Sequence, residues 1–288
     1  MWIRRVTRQL LMILVTVVLG GFLGATLVRL APGFTVDEGE LDPRLAKESV
    51  QVLRQARVQD GDIFHFYGRY WARTLKGDLG VSRSLGRPVS ELFAQRLPVT
   101  FRSVALGLAV GWLFGLALAL PAAMYRSSAY DLLSTVASGV FLCLPSTVLA
   151  MLLFFLRGSV PLVIGLVVFP KVFRYVRNLV VKTSSLPHIV TARAKGLGRT
   201  RILLWHVLPV AGPEILALAG VSVTLGFGAS IPVEVICGSP GIGQLAWLSA
   251  LSRDLPLLVN LTVLVTIVTL LANFASDFTA VTLVRHHQ

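Results

Sequence analysis

Charge is scarce in this chain. Only 14% of its 288 residues are Asp, Glu, Lys or Arg, against about 25% in soluble domains. With 55% apolar residues and a mean hydropathy of +0.75, a soluble fold would have too few charges to cover its exterior. That excludes an ordinary soluble enzyme or binding domain. Acidic residues are scarcest: 14 against 27 Lys and Arg, for a net charge of +13. The basic residues are scattered between apolar stretches of span length, so they read as orientation signals of a membrane protein. They do not form the clustered face that nucleic acid requires, and no nucleic-acid partner is expected. There are two cysteines, Cys143 and Cys237, outside any CxxC or His/Cys cluster, and they read as small apolar residues. No GxxxxGK[ST] occurs, so the chain cannot hydrolyse ATP by that chemistry. The five histidines (His65, His188, His206, His286 and His287) have no metal-binding spacing such as HExxH, which argues against a membrane-embedded metalloenzyme.

What the chain has is apolar length. A helix needs about 20 apolar residues to cross a bilayer. Segments 10–28, 99–124, 133–156, 160–181, 212–236 and 257–283 meet that length or nearly so. The expected fold is all-α, a polytopic membrane protein of about six transmembrane helices. The first segment exceeds the 7–15 residues typical of a signal-peptide core and no small-x-small cleavage site follows, so it is expected to be retained. With both termini cytoplasmic, the inside segments hold Arg4, Arg5, Arg8, Arg126, Lys182, Arg193, Lys195, Arg199, Arg201 and Arg285, and the short outside loops only Arg157 and Arg253. That asymmetry favours a multi-pass membrane protein with N- and C-termini inside. Lys171, Arg174 and Arg177 share one helical face and are expected to reach the headgroups.

The expected organisation is an N-terminal transmembrane helix (1–31), an extracytoplasmic helical loop (32–97) and a transmembrane core (98–288). The long loop is nearly neutral, with ten basic and nine acidic residues. Asp42-Pro43 reads as a helix start. Residues 62–76 place Phe64, Tyr67, Tyr70, Trp71 and Leu75 at helical spacing. They form either a small amphipathic cap or an aromatic face resting at the outer membrane interface.

The second span carries Gly107, Gly111, Gly115, Ala119 and Ala123 at every fourth position. Such a ridge lets helix backbones approach closely in lipid. Gly220, Thr224 and Gly228 repeat it in the fifth span, and Gly20 and Gly24 in the first. Pro121, Pro145, Pro170 and Pro232 lie in or near spans, where kinks are tolerated if neighbours satisfy the freed carbonyls. Glu234 and Asp277 are acids within or at the edge of apolar segments, which makes each a functional candidate or a paired structural group.

Segment 186–209, LPHIVTARAKGLGRTRILLWHVLP, is too patterned for a simple connector. Residues 189–195 favour helix, Gly196 and Gly198 break it, and 200–207 reads as a second short amphipathic helix. The expected shape is a helix–Gly–helix elbow presenting one short helix to a cytoplasmic partner.

At these residues the chain resembles the EAA loop of binding-protein-dependent ABC importer permeases. Gly196 and Leu208-Pro209 stand at that motif's spacings, and Val190 replaces its Glu. TARAKGL is similar to the dipeptide/oligopeptide/nickel B-subunit type. Further fragments in matching order are Ala31-Pro32-Gly33, Gly77-Asp78-Leu79-Gly80 with Ser82, Leu97-Pro98-Val99-Thr100, Glu234 before Pro240-Gly241-Ile242-Gly243, Arg253-Asp254, and Asn273 with Asp277. The family's PGDP is Pro32-Gly33-Phe34-Thr35 here, and the outer loop between the third and fourth spans shrinks to residues 157–161.

The resemblance implies a MetI-like permease core that is non-catalytic and binds no cofactor, ATP being used by partner subunits. It implies a second homologous permease, two cytoplasmic ABC ATPases and an extracytoplasmic substrate-binding protein. Peptides are the expected cargo, with nickel or oligosaccharides as alternatives. A secondary transporter is the rival reading, but no inverted repeat or midplane cluster of ionisable residues is evident. The expected ATPase-coupling residues are Thr191, Ala192, Arg193, Ala194, Lys195, Gly196, Leu197, Arg199 and Pro209. The gate or pathway candidates are Glu234, Pro240, Gly241, Gly243 and Asp277.

Overall fold

The structure, a computed structural model, describes residues 2–30, 63–126 and 128–286. The helix start expected at Asp42-Pro43 lies outside the described residues. The helices are α1 (Trp2–Leu30), α2 (Ile63–Thr74), α3 (Val89–Met124), α4 (Ala129–Cys143), α5 (Ser146–Phe155), α6 (Val160–Thr183), α7 (Pro187–Ala194), α8 (Arg199–Ile202), α9 (Leu208–Ile236), α10 (Ile242–Leu251) and α11 (Leu255–His286). A π-helical turn, Leu203–Val207, joins α8 to α9. An isolated bridge between Val81 and Pro88 is the extended pairing among the described residues.

Among the described residues, α3, the run Arg199–Ile236 and the Leu255–Ser276 part of α11 are long and apolar enough to cross a membrane. The third expected span, 133–156, is not one helix. It is α4 and α5, bent by 98°. The break falls at Pro145, which lacks an N–H and drives the preceding residue out of helical geometry. Leu144 is accordingly extended, with φ −79° and ψ 123°. Pro121, Pro170 and Pro232, by contrast, stay inside their helices. The 24-residue α6 is long enough to span, but every 18-residue window within it contains Lys171, Arg174 and Arg177. The loop before α6 is as short as expected. Arg157 takes a left-handed φ of 55° to make the turn, a conformation that strains a bulky residue.

The chain divides into two compact units, Met1–Arg96 with Leu245–Ile267, and Leu97–Gln244 with Val268–Gln288. The boundary between loop and core expected at residues 97–98 therefore falls inside a helix, because α3 already starts at Val89.

In the first unit the aromatic face of α2 packs on protein rather than resting at the membrane interface. Tyr67 and Tyr70 are buried. The Tyr67 hydroxyl donates to the Val18 carbonyl at 2.6 Å, and its ring stands edge-on to Phe22 at 5.5 Å. A methyl on Gly21 would sit 2.6 Å from that hydroxyl and 2.9 Å from Val263, so glycine is required here. The loop after α2 is pinned by Asp254. Its Oδ2 accepts from Ser82 Oγ at 2.6 Å, Ser84 Oγ at 2.9 Å and Ser84 N–H at 3.0 Å. Its Oδ1 accepts from Leu257 N–H at 3.2 Å, capping the start of α11.

In the second unit the glycine ridge of α3 meets α6 backbone to backbone. A Cβ on Gly107 would lie 2.7 Å from Ile164 and 2.9 Å from the Pro161 carbonyl, and one on Gly115 2.7 Å from Val172. Gly165 answers from α6, its absent Cβ 2.8 Å from Val110. This is the close approach expected of a small-residue ridge. The repeat in α9 is only partly used. A Cβ on Gly220 would lie 2.9 Å from Ser276, whereas Gly228 faces open space. Lys171 and Arg174 are exposed, but Arg177 does not point outward with them. It turns inward and donates from Nε and Nη2 to the two carboxylate oxygens of Asp131, each at 2.6 Å. Asp131 is buried, and a bidentate guanidinium is the partner best able to offset its desolvation.

Candidate functional site

The segment 186–209 folds as the expected helix–Gly–helix corner. Pro187 opens α7, its missing N–H costing nothing at that position. The helix ends in a Schellman motif: Gly196 N–H donates to the Arg193 carbonyl at 3.0 Å, and Leu197 N–H to the Ala192 carbonyl at 3.4 Å. Gly196 has a φ of +77°, a conformation that glycine adopts without strain. Ile189 and Ala192 face inward and are buried, with Leu197 packed against the same core. Thr191, Arg193, Ala194, Lys195, Gly196 and Arg199 are exposed. One amphipathic turn thus anchors itself through three apolar side chains and leaves small and basic groups exposed. Val190, at the position of the motif's Glu, is exposed as well.

Beyond Gly198 the expected helix over 200–207 is present, as α8 and the π turn, but it does not stop at Val207. α8, the π turn and α9 form one helical run of 38 residues, Arg199–Ile236. Pro209 falls in the first turn of α9, where proline is tolerated. Ile202, Leu203 and Val207 are buried, whereas Leu204 and Trp205 are exposed. An open cavity of about 1040 Å³ lies beside the corner, with Arg126, Arg193, Arg199, Ser184 and Ser185 in its lining. The Arg199 guanidinium stands 5.8 Å over the Tyr125 ring.

At the other end of the run, the structure brings together Glu234, Gly241 and Gly243. Glu234 is fully buried. Its Oε1 accepts from Thr100 Oγ1 at 2.7 Å, and its Oε2 accepts from Gly243 N–H at 2.7 Å and Gln244 N–H at 3.3 Å. Thr100 Oγ1 in turn accepts from Ile242 N–H at 2.7 Å. The Pro240–Gly243 turn is folded around the carboxylate. A methyl on Gly241 would fall on the Glu234 side chain, and one on Gly243 would come 2.6 Å from Ile231 Cα and 2.9 Å from Glu234 Oε2. Negative charge at the start of a helix meets the orphan N–H groups there, so Glu234 caps α10 from the end of the preceding helix, α9. Thr100 completes this node and is missing from the gating residues expected from sequence. Its signal lies in Leu97-Pro98-Val99-Thr100, one of the fragments that carry the resemblance. Asp277 lies on α11, but its side chain lies outside the described residues. Asp131 and Asp254, the other buried acids among the described residues, are also absent from those expectations.

Long apolar helices together with an exposed glycine-broken corner fit a membrane permease subunit. The model of the family described as binding-protein-dependent transport system inner membrane component matches residues 111–286. The chain belongs to that family and is a multi-pass inner-membrane permease subunit of the ABC importer type. It is 28% identical over 292 residues to the glutathione transport system permease protein GsiC of Salmonella paratyphi A, with 94% of each chain covered. It is 27% identical to the protein of the same name from Escherichia coli (strain K12), with the same coverage. Among solved structures, an inward facing conformation of the MetNI methionine ABC transporter matches 67% of this chain and 96% of that one, with a TM-score of 0.59 and 19% identity. A second crystal form gives a TM-score of 0.54 at 20% identity, with 68% and 94% coverage. Those structures carry the MetI-like fold.

Proposed function

We propose that this chain forms half of the translocation pathway of an ATP-driven importer of short peptides. The observation that carries the reading is the unbroken run Arg199–Ile236, with an exposed docking turn at one end and the Glu234 node at the other. At about 1.5 Å per residue, the run reaches on the order of 55 Å. A push on Thr191–Arg199 is delivered through Ile189, Ala192 and Leu197 into the core, and along α9 to Glu234. There the carboxylate links α9 to α3 through Thr100 and to the start of α10 through Gly243. Gly241 and Gly243 let the turn close on that carboxylate, and Pro240 sets the chain direction.

Two cytoplasmic ABC ATPases supply the push, and their nucleotide-bound state must engage one conformation of the corner more tightly than the other. Arg193, Lys195 and Arg199 suit acidic groups on those ATPases. A second homologous permease completes the pathway, and an extracytoplasmic substrate-binding protein delivers the cargo. Both termini are cytoplasmic. This chain is non-catalytic and holds no cofactor, ATP being consumed by the partners. Peptide cargo is supported by the relatives' glutathione, itself a small peptide. Affinity purification of the tagged chain in mild detergent tests the scheme. Recovery of ATPase subunits and a sister permease supports it, and a lone chain that transports would end it.

A further inference from the structure

In the second unit, α4 and α6 pack against each other with opposite polarity. They are joined by the Asp131–Arg177 pair and by the Phe141 and Phe169 rings, edge-on with centroids 5.2 Å apart. α4 is polar inside and apolar outside. Asp131, Ser134 and Ser138 are buried, whereas Leu132, Leu133, Val136 and Val140 are exposed. α6 is the reverse. Ile164, Val168, Val172 and Val176 are buried, and its exposed residues are Lys171, Arg174, Tyr175, Asn178 and Lys182, each carrying a polar group. They recur at steps of three or four residues and so form one stripe along the helix.

Two observations set this stripe apart from a collar at the headgroups. Lys171 and Arg174 have no ion pair or hydrogen bond among the described residues. They also lie deep. Asp131 stands in the first turn of α4, and Ser128, just before it, lines the cavity beside the corner together with Arg193. Arg177, gripped by Asp131, therefore marks the corner end of the span. Arg174 is nearly one turn further in and Lys171 nearly two, about 9 Å beyond Arg177 at 1.5 Å per residue. Cations inside a span turn to the protein interior or to water rather than to lipid, and exposure removes the interior as their destination. We infer that the exposed stripe of α6 is a cationic wall of the water-filled pathway that this chain encloses with a sister permease, while α4 turns its outer face to lipid. The inference rests on the importer reading and deepens it by assigning one helix face to the pathway. Lys171 and Arg174 give that water a positive potential, which repels cations.

The test uses the full-length chain with a C-terminal tag, purified with whatever accompanies it and held in phosphatidylcholine nanodiscs, which leave both faces open. The background carries Cys143→Ser and Cys237→Ala, small changes at an exposed and a half-buried position. Single cysteines are then timed with charged methanethiosulfonates. A thiol must ionise to react, and apolar surroundings oppose that, so Lys171→Cys, Arg174→Cys and Asn178→Cys are expected to react about a hundredfold faster than Leu132→Cys and Val136→Cys on α4. Nucleotide is expected to change the Lys171→Cys rate about threefold, because the ATPases reshape the pathway and not the lipid face. Asn178→Cys keeps both cations, and its preference for the anionic over the cationic reagent, relative to a free thiol, should fall when Lys171→Gln and Arg174→Gln are added. Rates at 171 and 174 no faster than at 132 and 136 would overturn the inference, as would a Lys171→Cys rate indifferent to nucleotide. So would fast labelling confined to 178, which marks a headgroup collar, or labelling at 171 that appears only once the sister permease is stripped away, which marks a protein seat. The same preparations are scored for ATPase subunits and a sister permease. Partners present with 171 and 174 unreactive defeat this inference alone, whereas reactive positions in a chain without partners defeat the importer reading alone.

Discussion

Replacing Glu234 by Ala is expected to destabilise the protein by about 3–5 kcal/mol, the usual cost of removing one partner from a buried charged network. The carboxylate accepts from Thr100 Oγ1 and Gly243 N–H, each at 2.7 Å, and from Gln244 N–H at 3.3 Å. Truncation leaves two N–H groups at the start of α10 without this acceptor. Each buried orphan costs about 1–3 kcal/mol, and the vacated volume adds a cavity term. Removing the charge also returns its desolvation cost, which holds the total below the sum of these parts. Glu234→Gln keeps the shape and one acceptor oxygen. Its amide must face either the α10 N–H groups or Thr100 Oγ1, which already accepts from Ile242 N–H at 2.7 Å, so a loss of about 1–2 kcal/mol is expected. Thr100→Val should cost a similar amount, and a double-mutant cycle between positions 100 and 234 should show a coupling above about 1 kcal/mol. Unfolding in mixed micelles, followed by fluorescence as SDS is titrated in, reads all four proteins. A Glu234→Ala protein within about 0.5 kcal/mol of wild type, or an additive cycle, would refute the node.

Three further perturbations probe other parts of the structure. Gly115→Ala places a methyl 2.7 Å from Val172, whereas Gly139→Ala meets nothing within 4 Å; the first should cost about 1–3 kcal/mol by overpacking and the second should be neutral in the same assay. Asp131→Ala strips Arg177 of its bidentate partner and should cost about 3 kcal/mol, part of which Asp131→Leu combined with Arg177→Leu should recover. Because burial raises Tyr70 from 10.0 to about 12, the unfolded chain releases that proton first; stability contributed by this group is complete below pH 10 and is lost as pH rises toward 12, and unfolding measured across that range should show the limb flattened in Tyr70→Phe.

Much of this was legible in the sequence, for identifiable reasons. The glycine ridge in α3 could be read because a four-residue period leaves one face without side chains, and a backbone from α6 fills it. The glycine-broken turn was legible because Gly196 marks a left-handed position that few other residues take comfortably. Glu234 stood out because carboxylates are rare in apolar segments. What could not be read were partners distant along the chain. Arg177 shares a helical face with Lys171 and Arg174, and only the fold supplies Asp131 to turn it inward. Likewise Tyr67 and Tyr70 present an aromatic stripe, and the close seat of Tyr67 depends on Gly21 of a helix far upstream. The break at Leu144-Pro145 and the continuity through Leu208-Pro209 show how one residue type acts differently by position. Proline interrupts a helix when the preceding residue turns extended, and it is absorbed in a first turn.

The central claim is that the exposed turn after α7 is where a cytoplasmic ATPase takes hold. Ala194 is exposed on that turn, so a photo-crosslinking amino acid placed there and irradiated in intact membranes tests it directly. Covalent capture of an ABC ATPase subunit, in a yield that changes when nucleotide is added, is the predicted result. Labelling of the same position by an impermeant reagent applied outside intact cells, with no ATPase captured, would contradict it.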